Sequence, residues 1–186
     1  MKKVNIGCGT NKIEGWENYD VNTATGAEIL DIRNPLPFGD NTVDFYFAEH
    51  VVEHVNYKQA WDFFDEAYRT MKSGSVMRII VPCIIKQYES RNSPDFKDYI
   101  EYYNKRGWSD KTLKGVSKSV LFNHEHEMAW SKDLMVGMLN VIGFEAYESE
   151  LYISKYPELS NLEGHWRVVG KKINDLEALC VEAIKK

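Results

Sequence analysis

Cysteine is scarce in this chain of 186 residues. Cys8, Cys83 and Cys180 stand far apart. An odd count without ligand spacing excludes a disulfide framework and a cysteine-rich metal site. No apolar run approaches the roughly 20 residues that span a bilayer as a helix. Positive charge is not in excess either: 23 Lys and Arg against 28 Asp and Glu leave a net charge of -5. Nucleic-acid binding draws much of its strength from neutralising phosphates, so this balance weighs against a nucleic-acid partner. The nearest approach to a basic cluster, Lys111, Lys114 and Lys118, reads as a solvated face. The first candidate strand begins at residue 4, which leaves no signal peptide ahead of it. A soluble cytoplasmic protein is expected.

What is present suits one α/β domain, since 44% of the residues are hydrophobic and single domains commonly run to roughly 100–200 residues. There is no repeat, low-complexity segment or interdomain linker. Short β-branched and aromatic runs predict strands at 4–6, 16–20, 27–32, 43–48 and 76–81, with Pro35 and Pro37 marking a loop. Tyr57, Ala60, Trp61, Phe64, Ala67, Tyr68 and Met71 fall at helical spacing between an Asn56 cap and a Gly74 stop. Strand–helix–strand order implies a parallel sheet covered by helices. Residues 83–130 break the rhythm with many aromatic rings, Trp108 and Phe122 among them, and a helix at 94–106. Beyond them the pattern predicts a helix at 131–142, strands at 144–151 and 166–171, and an amphipathic helix at 174–184.

The chemistry-bearing residues begin at the first strand. Asn5-Ile6-Gly7-Cys8-Gly9 reads as a buried strand running into a glycine turn, where the absence of side chains lets backbone approach a ligand. Asp20 and Asp31 end the next two segments, and an acid at a strand end commonly holds a ribose diol. A nucleoside-containing cofactor is the expectation; a tight connection flanked by two turn residues is the alternative. His50-Val51-Val52-Glu53-His54 matches H-x-x-E-H, which on a long helix holds zinc. Here it follows a strand directly, so His50 is expected to line the site and His54 to be a packed structural histidine. Asn123-His124-Glu125-His126-Glu127, if extended, turns His124 and His126 to one side, where either could take a proton; a solvated loop is the alternative.

Taken in order, these segments resemble the class I S-adenosylmethionine-dependent methyltransferases. The resemblance is carried by Asn5–Gly9, Gly15-Trp16-Glu17-Asn18-Tyr19-Asp20, Leu36–Asp44, Glu53-His54-Val55, Glu66–Gly74 and Ile79-Ile80-Val81-Pro82. It is closest to small members with a short first helix, and it runs through residues 4–82. It implies a Rossmann-like sheet of seven strands, six parallel and the last antiparallel, flanked by helices, with 83–130 as a helical and aromatic cap insertion in a single domain. It implies S-adenosylmethionine as cofactor: Asn5, Gly7, Cys8 and Gly9 at the methionine, Asp20 with Val21 at the ribose, and Asp31 and Ile32 at the adenine. Glu49 and His50 would sit at the methyl-transfer end. His50, His124 and His126 are the candidate bases, and a small molecule or glycan is the expected acceptor. The chain departs from the family pattern in three places. Asn5 stands where an acid is usual, Asn11 stands where the fuller motif has its third glycine, and Ser73-Gly74-Ser75 replaces a glycine pair. These departures keep open a non-catalytic binding protein, and the His50/His54 spacing keeps open a zinc-dependent hydrolase.

Overall fold

The structure is a computed structural model that describes residues 1–107, 112–122 and 124–186, with Leu121 and Phe122 described by backbone alone. Trp108, Lys111 and Asn123 lie outside the described residues. Seven strands form one sheet: β1 (Lys3–Ile6), β2 (Glu17–Asp20), β3 (Glu28–Ile29), β4 (Val43–Glu49), β5 (Met71–Pro82), β6 (Phe144–Ser149) and β7 (Ala178–Lys185). Their order is β3-β2-β1-β4-β5-β7-β6. β1 to β5 pair in parallel, while β7 runs antiparallel to both of its neighbours. The mostly parallel seven-stranded sheet expected from the sequence is therefore present.

Helix α1 (Tyr57–Thr70) starts where a capping box stands: the Asn56 side chain accepts the Gln59 N–H, and Gln59 reaches back to the Asn56 N–H. Each bond satisfies a donor the first turn would leave unpaired. α1 buries Ala60, Phe63, Phe64 and Ala67 against one face of the sheet. α5 (Lys132–Ile142), capped by Ser131, adds Met135, Met138 and Leu139 to the same core. The opposite face, around Trp16, Phe47, Val76 and Ile80, is covered by the 151–162 segment through Leu151, Tyr156, Leu159 and Leu162. No helix follows β1, since residues 11–16 form a short irregular link.

Between β5 and α5 lie α2 (Ile84–Glu89), α3 (Phe96–Lys105) and α4 (Leu113–Phe122). Lys114 and Lys118 are exposed on α4, as a solvated face requires. Tyr99, Tyr103, Val116 and Val120 of these helices share a small core with Val169 and Ile173 near the C-terminus.

The C-terminal end departs from the sequence expectation. Residues 166–171 are not a strand: Trp166–Val169 is a short helix, α6, and Lys171–Glu177 another, α7. The helix expected at 174–184 ends at Glu177, and the rest is β7. Leu176, Leu179, Cys180, Ala183 and Ile184 fit a helical face, but Ala178–Ala183 is buried at every position. A segment inserted between two strands has no solvent face, so its periodicity cannot separate helix from strand.

Candidate functional site

The site lies at the C-terminal ends of β1, β2 and β4, where ligands bind in open α/β sheets. Gly7 and Gly9 leave β1 with φ of +64° and +48°. A Cβ on Gly7 would collide with Val51 Cγ2, whereas one on Gly9 would meet nothing within 4 Å. The turn is therefore packed from behind and open in front. Asp20 holds it: Oδ2 accepts the Gly9 N–H and Oδ1 the Asn22 N–H, each at 2.7 Å. A carboxylate has about four lone-pair positions, so Asp20 keeps acceptor capacity toward the cleft it lines.

Asn5 has a local explanation. Asn18 donates its amide to the carbonyls of Ile13 and Trp16, which leaves its Oδ1 to accept from Asn5 Nδ2 at 2.9 Å. Asn5 Nδ2 also donates to the Asn11 carbonyl. An acid at position 5 has no N–H to give this network, so the amide there fastens the glycine turn to β2.

A cleft of about 350 Å³ runs from Asp20, Val21, Asp31 and Ile32 past Gly7 to His50, Val51 and His54. Asp31 is gripped by Arg33, Nε to Oδ1 at 2.8 Å and Nη2 to Oδ2 at 2.6 Å. The hydrogen bonds from that guanidinium hold the Asp31 carboxyl below the usual carboxylate range. A second hollow of about 210 Å³ is lined by Asn5, Gly7, Cys8, Glu49, His50, Gly164 and His165. Glu49, the last residue of β4, accepts the N–H groups of Gly164 (2.7 Å) and His165 (3.1 Å). Burial pushes its carboxyl up to about 7. Gly164 packs so closely on Asn11 that a Cβ would lie 2.5 Å from Asn11 Cγ.

His50 follows Glu49 in a left-handed conformation, φ +56°, which costs a non-glycine residue roughly 1–2 kcal/mol. Its ring Nδ1 lies 3.0 Å from Glu53 Oε1. A carboxylate can only accept, so the proton sits on Nδ1 and Nε2 carries the lone pair. Nε2 is buried and has no partner among the described residues. Burial, with His54 and His124 adding to it, drives His50 down to about 3; burial does the same to His165, to about 3, and His126, to about 4. These three rings are neutral at neutral pH.

A third cavity, about 330 Å³, is lined by all five histidines of the chain: His50, His54, His124, His126 and His165. Tyr103 and Glu177 form part of its wall. Glu177 is buried, accepts the hydroxyls of Tyr99 and Tyr103, and is pushed up to about 7 by burial. His124 and His126 do share this cavity, with ring centroids 5.9 Å apart. His54 corrects the expectation of a packed structural residue: it is exposed, and Val52–His54 is a single 3₁₀ turn. The long helix that the zinc-protease spacing needs is absent at this position. Sequence reasoning missed His165, Glu53, Gly164 and Glu177 as site residues. Only the scarcity of histidine could have pointed to His165.

Comparison with known proteins agrees with this fold. Residues 18–79 match the family described as a methyltransferase domain. No curated protein matches the chain. Among solved structures, an S-adenosylmethionine-dependent methyltransferase from Archaeoglobus fulgidus superposes with TM-score 0.61 at 18% identity, over 99% of this chain and 86% of that one. Another from Methanosarcina mazei gives 0.57 at 16%, over 99% and 92%. A possible histamine N-methyltransferase from Thermotoga maritima gives 0.53 at 16%, over 100% and 82%. Along its whole length this chain shares the fold of these methyltransferases, and over residues 18–79 its sequence matches the methyltransferase-domain family.

Proposed function

We propose that this chain is an S-adenosylmethionine-dependent methyltransferase acting on a small molecule or glycan. One observation carries the reading: His50 lines all three cavities. It joins a cleft suited to a nucleoside, a hollow suited to an amino-acid end, and a histidine-lined chamber. The fold's relatives named above are described as methyltransferases, which supports the same activity here.

The residues present fit the cofactor. The Gly7–Gly9 turn offers an open front that no side chain fills. Asp20 accepts from the ribose hydroxyls beside Val21, and Asp31 and Ile32 border the adenine. Cys8 and Gly9 lie along the methionine part. Asn5 Nδ2 is spent on the turn, so its Oδ1 is the atom left for an ammonium in the second hollow. Glu49 lines that hollow too and supplies the charge that Asn5 lacks, since a nearby cation favours the ionised carboxyl. When bound, the cofactor supplies an activated methyl group on a sulfonium.

The chain's own contribution is positioning and exclusion of water. His50 Nε2 accepts a hydrogen bond from the acceptor and orients it. Buried, neutral and depressed to about 3, it is too weak a base to hold the proton of an alcohol. His126 is in the same position, which leaves His124, at the exposed end of the cavity, as the remaining base candidate. In this reading α3 and α4, through Tyr102, Tyr103 and Val120, belong to the cap over the acceptor chamber. The test is transfer of labelled methyl from S-adenosylmethionine to pooled small hydroxyl compounds and sugars. Label should leave the cofactor with wild-type protein and far less with His50→Asn; equal transfer by both would contradict the role of His50.

A further inference from the structure

Glu53, His54 and His126 bring one carboxylate oxygen and two imidazole nitrogens within 4.8 Å of one another. Backbone pairing builds the cluster. The Glu53 carbonyl accepts the N–H groups of Glu127 (2.8 Å) and Met128 (3.1 Å), which lays residues 126–128 along the 52–54 turn. The rings of His54 and His126 meet edge to face, 4.7 Å between centroids. Glu53 is 1% exposed. Its Oε1 is engaged by His50 Nδ1, but Oε2 has no hydrogen-bond partner among the described residues. A buried carboxylate oxygen is costly to leave unpaired, so this atom calls for a cation or a donor from outside. The supporting contact is of the kind that orients metal ligands: the His50 Nδ1 braces Glu53 Oε1 at 3.0 Å.

We propose that Glu53, His54 and His126 bind one divalent first-row transition-metal ion, with a coordination position open toward the histidine-lined cavity for an oxygen of the acceptor. Two imidazoles and one carboxylate suit zinc, cobalt or iron, whereas magnesium and calcium take oxygen ligands. His54 is exposed, and His54 and His126 both line the cavity. An ion there lowers the pKa of a coordinated hydroxyl by Lewis acidity, which makes the acceptor a hydroxyl compound. The acceptor role rests on the methyltransferase reading; the metal site does not.

The experiment is optical titration of the chelator-stripped full chain with Co²⁺, repeated on His54→Ala, His126→Ala and Glu53→Gln. Wild type should develop visible d–d absorption that saturates at one Co²⁺ per chain and is displaced by Zn²⁺. Each variant should bind at least about 10-fold more weakly. His54→Ala alters an exposed side chain, so it keeps the test open if Glu53→Gln fails to fold. Absence of saturable binding, or wild-type affinity in His54→Ala and His126→Ala, overturns the site. Adding acetohydroxamate should shift the Co²⁺ spectrum; an unchanged spectrum overturns the open position. Parallel titration with S-adenosylhomocysteine separates the two readings. Cobalt bound without it overturns the methyltransferase reading and leaves the site standing, and the reverse overturns the site alone.

Discussion

The imidazole of His50 lies against that of His165, with ring centroids 3.8 Å apart and planes 33° from parallel. His50 follows β4 and His165 precedes α6, so the two rings come from distant parts of the chain. Each is fixed by a different device: His50 by its left-handed backbone and its bond to Glu53, His165 by its N–H bond to Glu49. His50 lines all three cavities and His165 the last two, so the pair stands where they meet, and the proposed function depends on that junction.

His50→Asn tests it. Asparagine tolerates a positive φ better than most residues, so the backbone should hold, while the ring and its lone pair are lost. The expected result is a melting temperature close to wild type and a fall in methyl transfer of about 100-fold, the cost of a misplaced acceptor. Thermal melts and transfer rates measured on the same preparation check it.

Gly7→Ala should destabilise the protein for two separable reasons. The added methyl collides with Val51 Cγ2, and alanine is held at φ +64°. Overpacking costs about 1–3 kcal/mol and the left-handed conformation about 1–2 kcal/mol. In urea denaturation, Gly7→Ala/Val51→Ala should recover the first part relative to Val51→Ala, and not the second. Simple additivity of the two substitutions would show that Val51 does not pack behind the turn.

Much of this was legible in the sequence, and the exceptions share a cause. The β1–turn–Asp20 unit, the Asn56 cap and the β4 run are local, and each residue's type states its task. Asn5 was legible as a departure, but its partner Asn18 was not, because amide pairing across parallel strands leaves no periodic trace. His165, Glu53 and Glu177 reach the site through long-range contacts: Gly164 and His165 on Glu49, residues 127–128 on the Glu53 carbonyl, and two tyrosines on Glu177. β7 was misread because burial on every side erases the pattern that separates strand from helix.

Glu177 gives a pH-dependent prediction. Its folded pKa, about 7, is raised from 4.5 by burial. The folded state therefore binds the extra proton between these values. Stability from this group is complete below about pH 4.5 and is lost as pH rises through 7. Glu177→Gln mimics the protonated form. Relative to wild type, the variant should gain stability between pH 5 and pH 8, by an amount on the order of 3 kcal/mol at most. Urea denaturation of both proteins at the two pH values checks it, since every other titrating group is common to both. A difference that does not change with pH would contradict an ionisable, buried Glu177.

The most direct measurement is calorimetric titration of the full chain with S-adenosylhomocysteine, alongside Asp20→Ala. Asp20 closes the glycine turn through Gly9 and lines the cleft proposed for the ribose. A cofactor site built on Asp20 requires one saturable site in wild type and binding at least about 10-fold weaker in Asp20→Ala, the cost of about 1.4 kcal/mol or more of lost hydrogen bonding. No heat of binding from wild type at millimolar ligand, or equal affinity in the two proteins, would contradict it.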